Sequence, residues 1–114
     1  MRIDVKGRNV AVSDELRRRI ERRFEKVSRQ VPSIAQLEVE LCEERNPSIH
    51  ARCVAEATMH LKGVTLRARE SADTMVRAIT LLEEDLSRQV KRHRDKRRAR
   101  RDAARVVPQA YPAP

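Results

Sequence analysis

The chain has 114 residues, enough for one small domain with a tail and too few for two domains. Twenty-six Lys and Arg stand against 17 Asp and Glu, a formal net charge of +9, and Phe24 and Tyr111 are the only aromatic residues. So few rings argue against RNA recognition by base stacking, and no apolar run approaches the ~20 residues of a membrane helix. The alternating charges Arg2, Asp4 and Lys6 do not make a signal peptide, so a soluble, cytoplasmic protein with two free thiols is expected.

Met1–Lys6 alternates apolar Ile3 and Val5 with charged residues, the pattern of a half-buried strand, and Gly7-Arg8-Asn9 is expected to break it. Ser13 then reads as a helix N-cap, with Asp14 and Glu15 where the helix dipole favours anions. Leu16, Ile20, Phe24, Val27 and Val31 form one apolar stripe, predicting a single helix of about four turns that stops before Pro32. Period-two alternation follows in Ile34–Glu43, resumes through Ala51–Leu61 after the turn-like Arg45-Asn46-Pro47-Ser48, and continues from Val64 to Arg69 past a reversal at Lys62-Gly63. Three strands joined by short turns predict an antiparallel meander.

A second helix, capped by Ser71 or Asp73, is marked by Met75, Ile79, Leu82, Leu86, Val90 and His93. From Asp73 to His93 it spans ~31 Å at 1.5 Å per residue, longer than a strand of ~20 Å, so its end should project from the sheet. The predicted fold is α+β, a β-α-β-β-β-α two-layer sandwich with both helices on one face of a four-stranded sheet. Residues 1–96 form the domain, and 97–114 form an Arg-rich, then Pro-containing, flexible tail.

The charge is unevenly placed. Lys91, Arg92, Arg94, Lys96, Arg97, Arg98, Arg100, Arg101 and Arg105 face only Asp95 and Asp102, leaving 17 cations and 15 anions for residues 1–90. A wheel of about 100° per residue adds to this. Arg18, Arg19, Arg22, Arg23, Lys26 and Arg29 share one flank of the first helix, while Arg77, Arg88, Lys91 and Arg92 lie away from the core on the second. Arg outnumbers Lys by 21 to 5, and its planar fork matches phosphate oxygens. Together with Arg97 and Arg98, these faces suit a nucleic-acid backbone, with affinity that falls steeply as salt rises.

Signatures of catalysis are missing. The two glycines, Gly7 and Gly63, leave no phosphate-cradling loop, and there is no metalloprotease helix motif, Cys-x-x-Cys or nucleophile elbow. Cys42 and Cys53 fall on opposite parities of neighbouring strands and should not pair. His50 and His60 are ten residues apart along one strand, too far to share a metal, and His93 reads as a helix-end residue. No enzymatic activity, cofactor, metal or small-molecule substrate is expected, and a monomer is.

Several blocks resemble the ribosome hibernation promoting factor family, which includes the ribosome-associated inhibitor also called protein Y. They are Gly7-Arg8-Asn9 followed by Val12-Ser13, Glu43, Val54-Ala55-Glu56-Ala57, Gly63, Ala78-Ile79 and, most specifically, Leu86-Ser87-Arg88-Gln89-Val90-Lys91. The resemblance covers about residues 1–96 and implies the same β-α-β-β-β-α fold. It implies binding in the messenger and transfer RNA channel of the small ribosomal subunit, holding an idle ribosome inactive. Carried over by position, the ribosomal RNA contacts are Arg22, Arg23 and Lys26 on the first helix and Arg88, Lys91, Arg92 and Lys96 on the second, to which the charge pattern adds Arg18, Arg97 and Arg98.

Two positions depart from the family: Val76 stands where a tyrosine is usual, and Asp85 where a lysine is usual. The second domain of long members, which pairs ribosomes, has no counterpart in these residues. The residues alone leave three other readings open: a general binder of structured RNA, an adaptor using the open sheet face, and a small hydrolase or metal enzyme.

Overall fold

The computed structural model describes residues 1–44 and 52–110, with the backbone alone for 104–110. The turn at Arg45–Ser48, His50 and Tyr111 lie outside the described residues. Elements run in the order β1 (Arg2–Arg8), α1 (Asp14–Arg23), α2 (Glu25–Ser28), β2 (Gln36–Glu43), β3 (Cys53–Leu61), β4 (Val64–Ala72) and α3 (Met75–Ala110). The four strands lie in one sheet in sequence order. β1 runs parallel to β2, the α1–α2 segment making the crossover, and β2, β3 and β4 form the expected antiparallel meander.

Register explains the core. Leu37, Met59 and Leu66 align across β2, β3 and β4, as do Val39, Ala57 and Ala68 in the next row. Their shared parity puts them under the helices, where they meet Ile20, Phe24, Val27, Ile79, Leu82, Leu86 and Val90, all essentially without solvent contact. The alanines of β3 and β4, with Ala78 opposite them, leave room for α3 to lie close to the sheet. Cys42 and Cys53 occupy opposite sheet faces and are both free.

Element boundaries differ from the sequence expectation in five places, the largest being that α3 runs on as helix to Ala110 through the stretch from 97 that the sequence predicts as a flexible tail. Gly7 does not break β1 but pairs with Leu41 inside it. A Cβ there would stand 2.2 Å from the Val10 carbonyl oxygen, so glycine serves the close return of the chain, and Asn9, with φ of 61°, makes the break. The first helix is divided at Phe24, whose φ of −90° and ψ of 4° leave the helical region while its N–H still reaches the Ile20 carbonyl at 2.9 Å. The second segment ends at Ser28 rather than reaching Val31. Gln30 closes a tighter turn on Val27 at 3.0 Å, and Pro32 biases Val31 towards extended backbone.

The cap of α3 is neither Ser71, which lies in β4, nor Asp73, but Thr74, whose Oγ1 accepts from the Arg77 N–H at 3.2 Å. The cap of α1 is as expected, Ser13 Oγ accepting from the Leu16 N–H at 3.1 Å.

α3 is one helix of 36 residues, and the molecule is 72 Å long but only 29 and 18 Å in its other dimensions. The helix leaves the sheet after Val90, the last buried apolar residue of its stripe. No helix among the described residues is long and apolar enough to cross a membrane.

Candidate nucleic-acid interface

The two faces of the sandwich treat charge differently. On the open sheet face, Arg2 pairs with Asp4 at 3.7 Å, Arg8 with Glu40 at 3.5 Å and Arg69 with Glu56 at 3.4 Å. His60 Nε2 lies 3.3 Å from Glu38 Oε2 on the same face. Pairs this exposed contribute little stability, but they cancel local charge. Three of the five strand cations on this face are thus paired, while Lys6 and Arg67 have no carboxylate within 4 Å among the described residues.

The helix faces keep more unpaired cations, although Arg29 Nη2 donates to Glu25 Oε1 at 2.8 Å. Arg18, Arg22, Lys26, Arg88, Lys91, Arg92, Lys96, Arg97 and Arg98 are all exposed. None of these nine has a carboxylate within 4 Å among the described residues. On α1 and α2 the cations lie away from Ile20, Phe24 and Val27, because the stripe that enters the core fixes which flank faces out. On α3 the same logic turns Arg88, Lys91 and Arg92 outward from Leu86 and Val90.

Arg23 stands apart from the other candidates. Its Nη2 lies 3.4 Å from Glu83 Oε2 and 3.8 Å from Glu84 Oε1, so its side chain spans from α1 to α3. Glu83 is the one buried charged residue among those described, and it also accepts from Ser87 Oγ at 2.9 Å. A guanidinium held between two carboxylates has less capacity left for a phosphate. Its contact also sets the α1 flank beside α3 one turn before Arg88, joining the two cationic faces into one surface.

The departing positions sit on α3. Val76 is 45% exposed in its first turn. Asp85 accepts from Gln89 Nε2 at 3.2 Å, and the same amide nitrogen donates to the Arg67 carbonyl at 2.7 Å, tying α3 to β4. Glu70 occupies the helix-facing row of β4, aligned with Ala55. Burial, and then a hydrogen bond and repulsion from Asp85, push its carboxyl above the usual range, while Arg88 opposes the shift.

Sequence periodicity missed one feature. Past Val90 the core-facing line of α3 continues through His93 to Arg97 and Arg101, beyond the end of the sheet. That line overhangs the α2–β2 connection and the β3–β4 hairpin, enclosing a cavity of about 640 Å³ that also draws in Arg94 and Lys62. The signal was visible as an apolar helical stripe turning abruptly to arginine. Among the described residues there is no group of three His, Cys, Asp or Glu side chains able to hold a metal. The arrangement offers fixed positive charge and guanidinium forks for phosphate oxygens.

A family model described as Sigma 54 modulation protein / S30EA ribosomal protein matches residues 3–98. The ribosome hibernation promoting factor of Acinetobacter guillouiae is 30% identical over 99 residues, covering 82% of this chain and 88% of that protein. The protein of the same name from Salmonella typhimurium is 31% identical over 96 residues, covering 84% and 96%. The ribosome hibernation promotion factor of Picosynechococcus is longer, and the match takes in 50% of it at 26% identity. The crystal structure of the Thermus thermophilus Protein Y N-terminal domain superposes with a TM-score of 0.70 at 26% identity, covering 82% of this chain and 99% of that domain.

Proposed function

The chain belongs to the Sigma 54 modulation protein / S30EA ribosomal protein family, and from that premise we propose that it is a non-enzymatic ribosome hibernation factor. In this reading it binds the small ribosomal subunit through ribosomal RNA, occupies the channel used by messenger and transfer RNA, and holds the ribosome inactive in the cytoplasm of resting or stressed cells. The observation that carries the proposal is the asymmetry of the sandwich: a sheet face on which most cations are paired, and helix faces on which nine exposed cations have no carboxylate within 4 Å among the described residues. The relatives named as hibernation factors supply the ribosome as the partner.

The physical mechanism is occlusion. A rigid sandwich presents an array of guanidinium and ammonium groups on two packed helices, and phosphate contacts fix its position without reading sequence. Releasing counterions from the RNA drives association. Among the cations, Arg18, Arg22 and Lys26 on the first helical segments and Arg88, Lys91, Arg92 and Lys96 on α3 make the central contacts. Arg97 and Arg98 extend them along the projecting helix, and Arg23 chiefly holds the two helices in register.

Fractionating cell lysate on a density gradient tests the reading. The protein is expected in small-subunit and whole-ribosome fractions from starved or stationary cells. Its absence from ribosomal fractions under those conditions contradicts the proposal.

A further inference from the structure

The cavity beneath the projecting part of α3 is chemically two-sided. Its floor is apolar: Val31, Pro32, Ala35, Leu61 and Val90 line it, and Ile34 stands at its rim 78% exposed. Its roof is cationic. Arg94, Arg97, Arg98 and Arg101 recur at helical spacings of three and four along one side of α3, and Lys62 approaches from the β3–β4 hairpin. Among the described residues no carboxylate lines it.

Two polar atoms of the wall, His93 Nε2 and Arg94 Nε, are shut off from solvent without a hydrogen-bond partner among the described residues. Buried polar atoms of this kind are normally satisfied.

We infer that this notch takes one unstacked nucleotide of an RNA strand, its base laid on Ile34, Pro32 and Leu61 and its flanking phosphates held by Arg97, Arg98 and Arg101. The volume falls within the ~300–1,000 Å³ of small-ligand pockets, enough for a base and sugar. Charge complementarity requires an anion, and the apolar floor requires that it carry a flat or apolar part. A strand is favoured over a free nucleotide because Arg94, Arg97, Arg98 and Arg101 are spread over about two turns of α3, roughly 10 Å of helix, enough to reach successive phosphates. Among the described residues no aromatic side chain other than histidine lines the notch. The base is therefore sandwiched between aliphatic side chains and guanidinium planes, which stack on π-faces. This inference rests on the RNA-binding reading above and adds to it a contact that depends on the base and not on charge alone.

The test uses the full chain and a labelled single-stranded hexa-adenylate, either intact or with one central abasic residue, by fluorescence anisotropy. The variant Ile34→Asp changes an exposed side chain, and circular dichroism with a melting curve verifies its fold. The intact strand is expected to bind wild type about tenfold more tightly than the abasic strand. Ile34→Asp is expected to weaken the intact strand about tenfold more than it weakens the abasic one, the coupling that a shared contact produces. Equal affinity for both strands, or an equal effect of Ile34→Asp on both, overturns the inference. Displacement of the strand by adenosine monophosphate or polyglutamate at equal concentration also overturns it, in favour of a free nucleotide or an acidic protein.

Sedimentation of the same proteins with small ribosomal subunits is run in parallel and separates the two claims. Subunit binding without base dependence removes the notch and leaves the hibernation reading. Base dependence without subunit binding does the reverse.

Discussion

Arg23 Nη2 lies 3.4 Å from Glu83 Oε2, and this ion pair fastens the first helix to the last. Only 10% of the Glu83 side chain is exposed, against 43% of Arg23. Removing the guanidinium would therefore leave a nearly buried carboxylate with Ser87 as its remaining partner. Arg22, the next residue, is exposed and unpaired among the described residues. Two adjacent arginines of one helix thus have different duties.

Arg23→Ala is expected to destabilise the fold by about 1 kcal/mol, less than the full cost of breaking a wholly buried pair because Arg23 is partly solvated. Arg22→Ala is expected to leave urea unfolding unchanged and to weaken small-subunit binding several-fold. Chemical denaturation and equilibrium binding, measured on both variants, check the division. Equal effects of the two on both measurements would erase it.

Gly7→Ala is expected to destabilise by about 2 kcal/mol, because its Cβ would overlap the Val10 carbonyl oxygen at 2.2 Å and the backbone must shift. Gly63→Ala meets no neighbour and carries only the strain of a φ of +79°, about 1 kcal/mol. Thermal unfolding of the pair orders the two costs, and a larger loss at Gly63 would show that β1 tolerates the shift.

Glu70 and Asp85 give a pH signature. A carboxyl raised in the folded state holds its proton more tightly folded than unfolded. Its contribution to stability is therefore greatest below the ordinary Glu value, about 4.3, and declines as pH rises through the window up to its raised folded value. Asp85→Asn keeps an acceptor for Gln89 and removes the repulsion. It is expected to raise the melting temperature by about 1–3 °C at pH 7 and by nothing at pH 3.5. The same gain at both pH values would assign it to something other than charge. Asp85→Lys is further expected to tighten ribosome binding, since it replaces an anion beside Arg88 with a cation.

Truncation separates the two roles of α3. Ending the chain after His93 keeps Val90, which is 2% exposed, and is expected to preserve cooperative unfolding while flattening the salt dependence of RNA binding. Each lost phosphate contact should reduce the slope of log affinity against log salt by about 0.7–0.9. Ending after Ser87 removes Val90 from the core and is expected to lower stability as well. An unchanged slope in the chain ending at His93 would show that the arginine run makes no phosphate contact.

Much of this architecture was legible because apolar period changes mark strands and helices directly, as Leu37-Val39-Leu41 and Leu82-Leu86-Val90 do. The outward direction of the helical cations follows from the same stripes. What escaped was decided by particular contacts, near and far in the chain, that apolar spacing does not encode. The division at Phe24 belongs to a residue with good helical spacing that turns as it enters the core. The role of Gly7 depends on the returning Val10, and the restraint on Arg23 on a glutamate sixty residues away. The notch is assembled from three separate stretches, of which only the arginine run carried a local signal.

The most direct measurement is competition on purified small ribosomal subunits. Binding of the labelled protein is followed with the subunit empty and with messenger RNA and initiator transfer RNA already bound. Occlusion of the decoding channel predicts tight binding to the empty subunit, strongly reduced when the channel is filled and weakened by charge reversal at Arg88, Lys91 and Arg92. Undiminished binding to the filled subunit would contradict the account and place the contact elsewhere on ribosomal RNA.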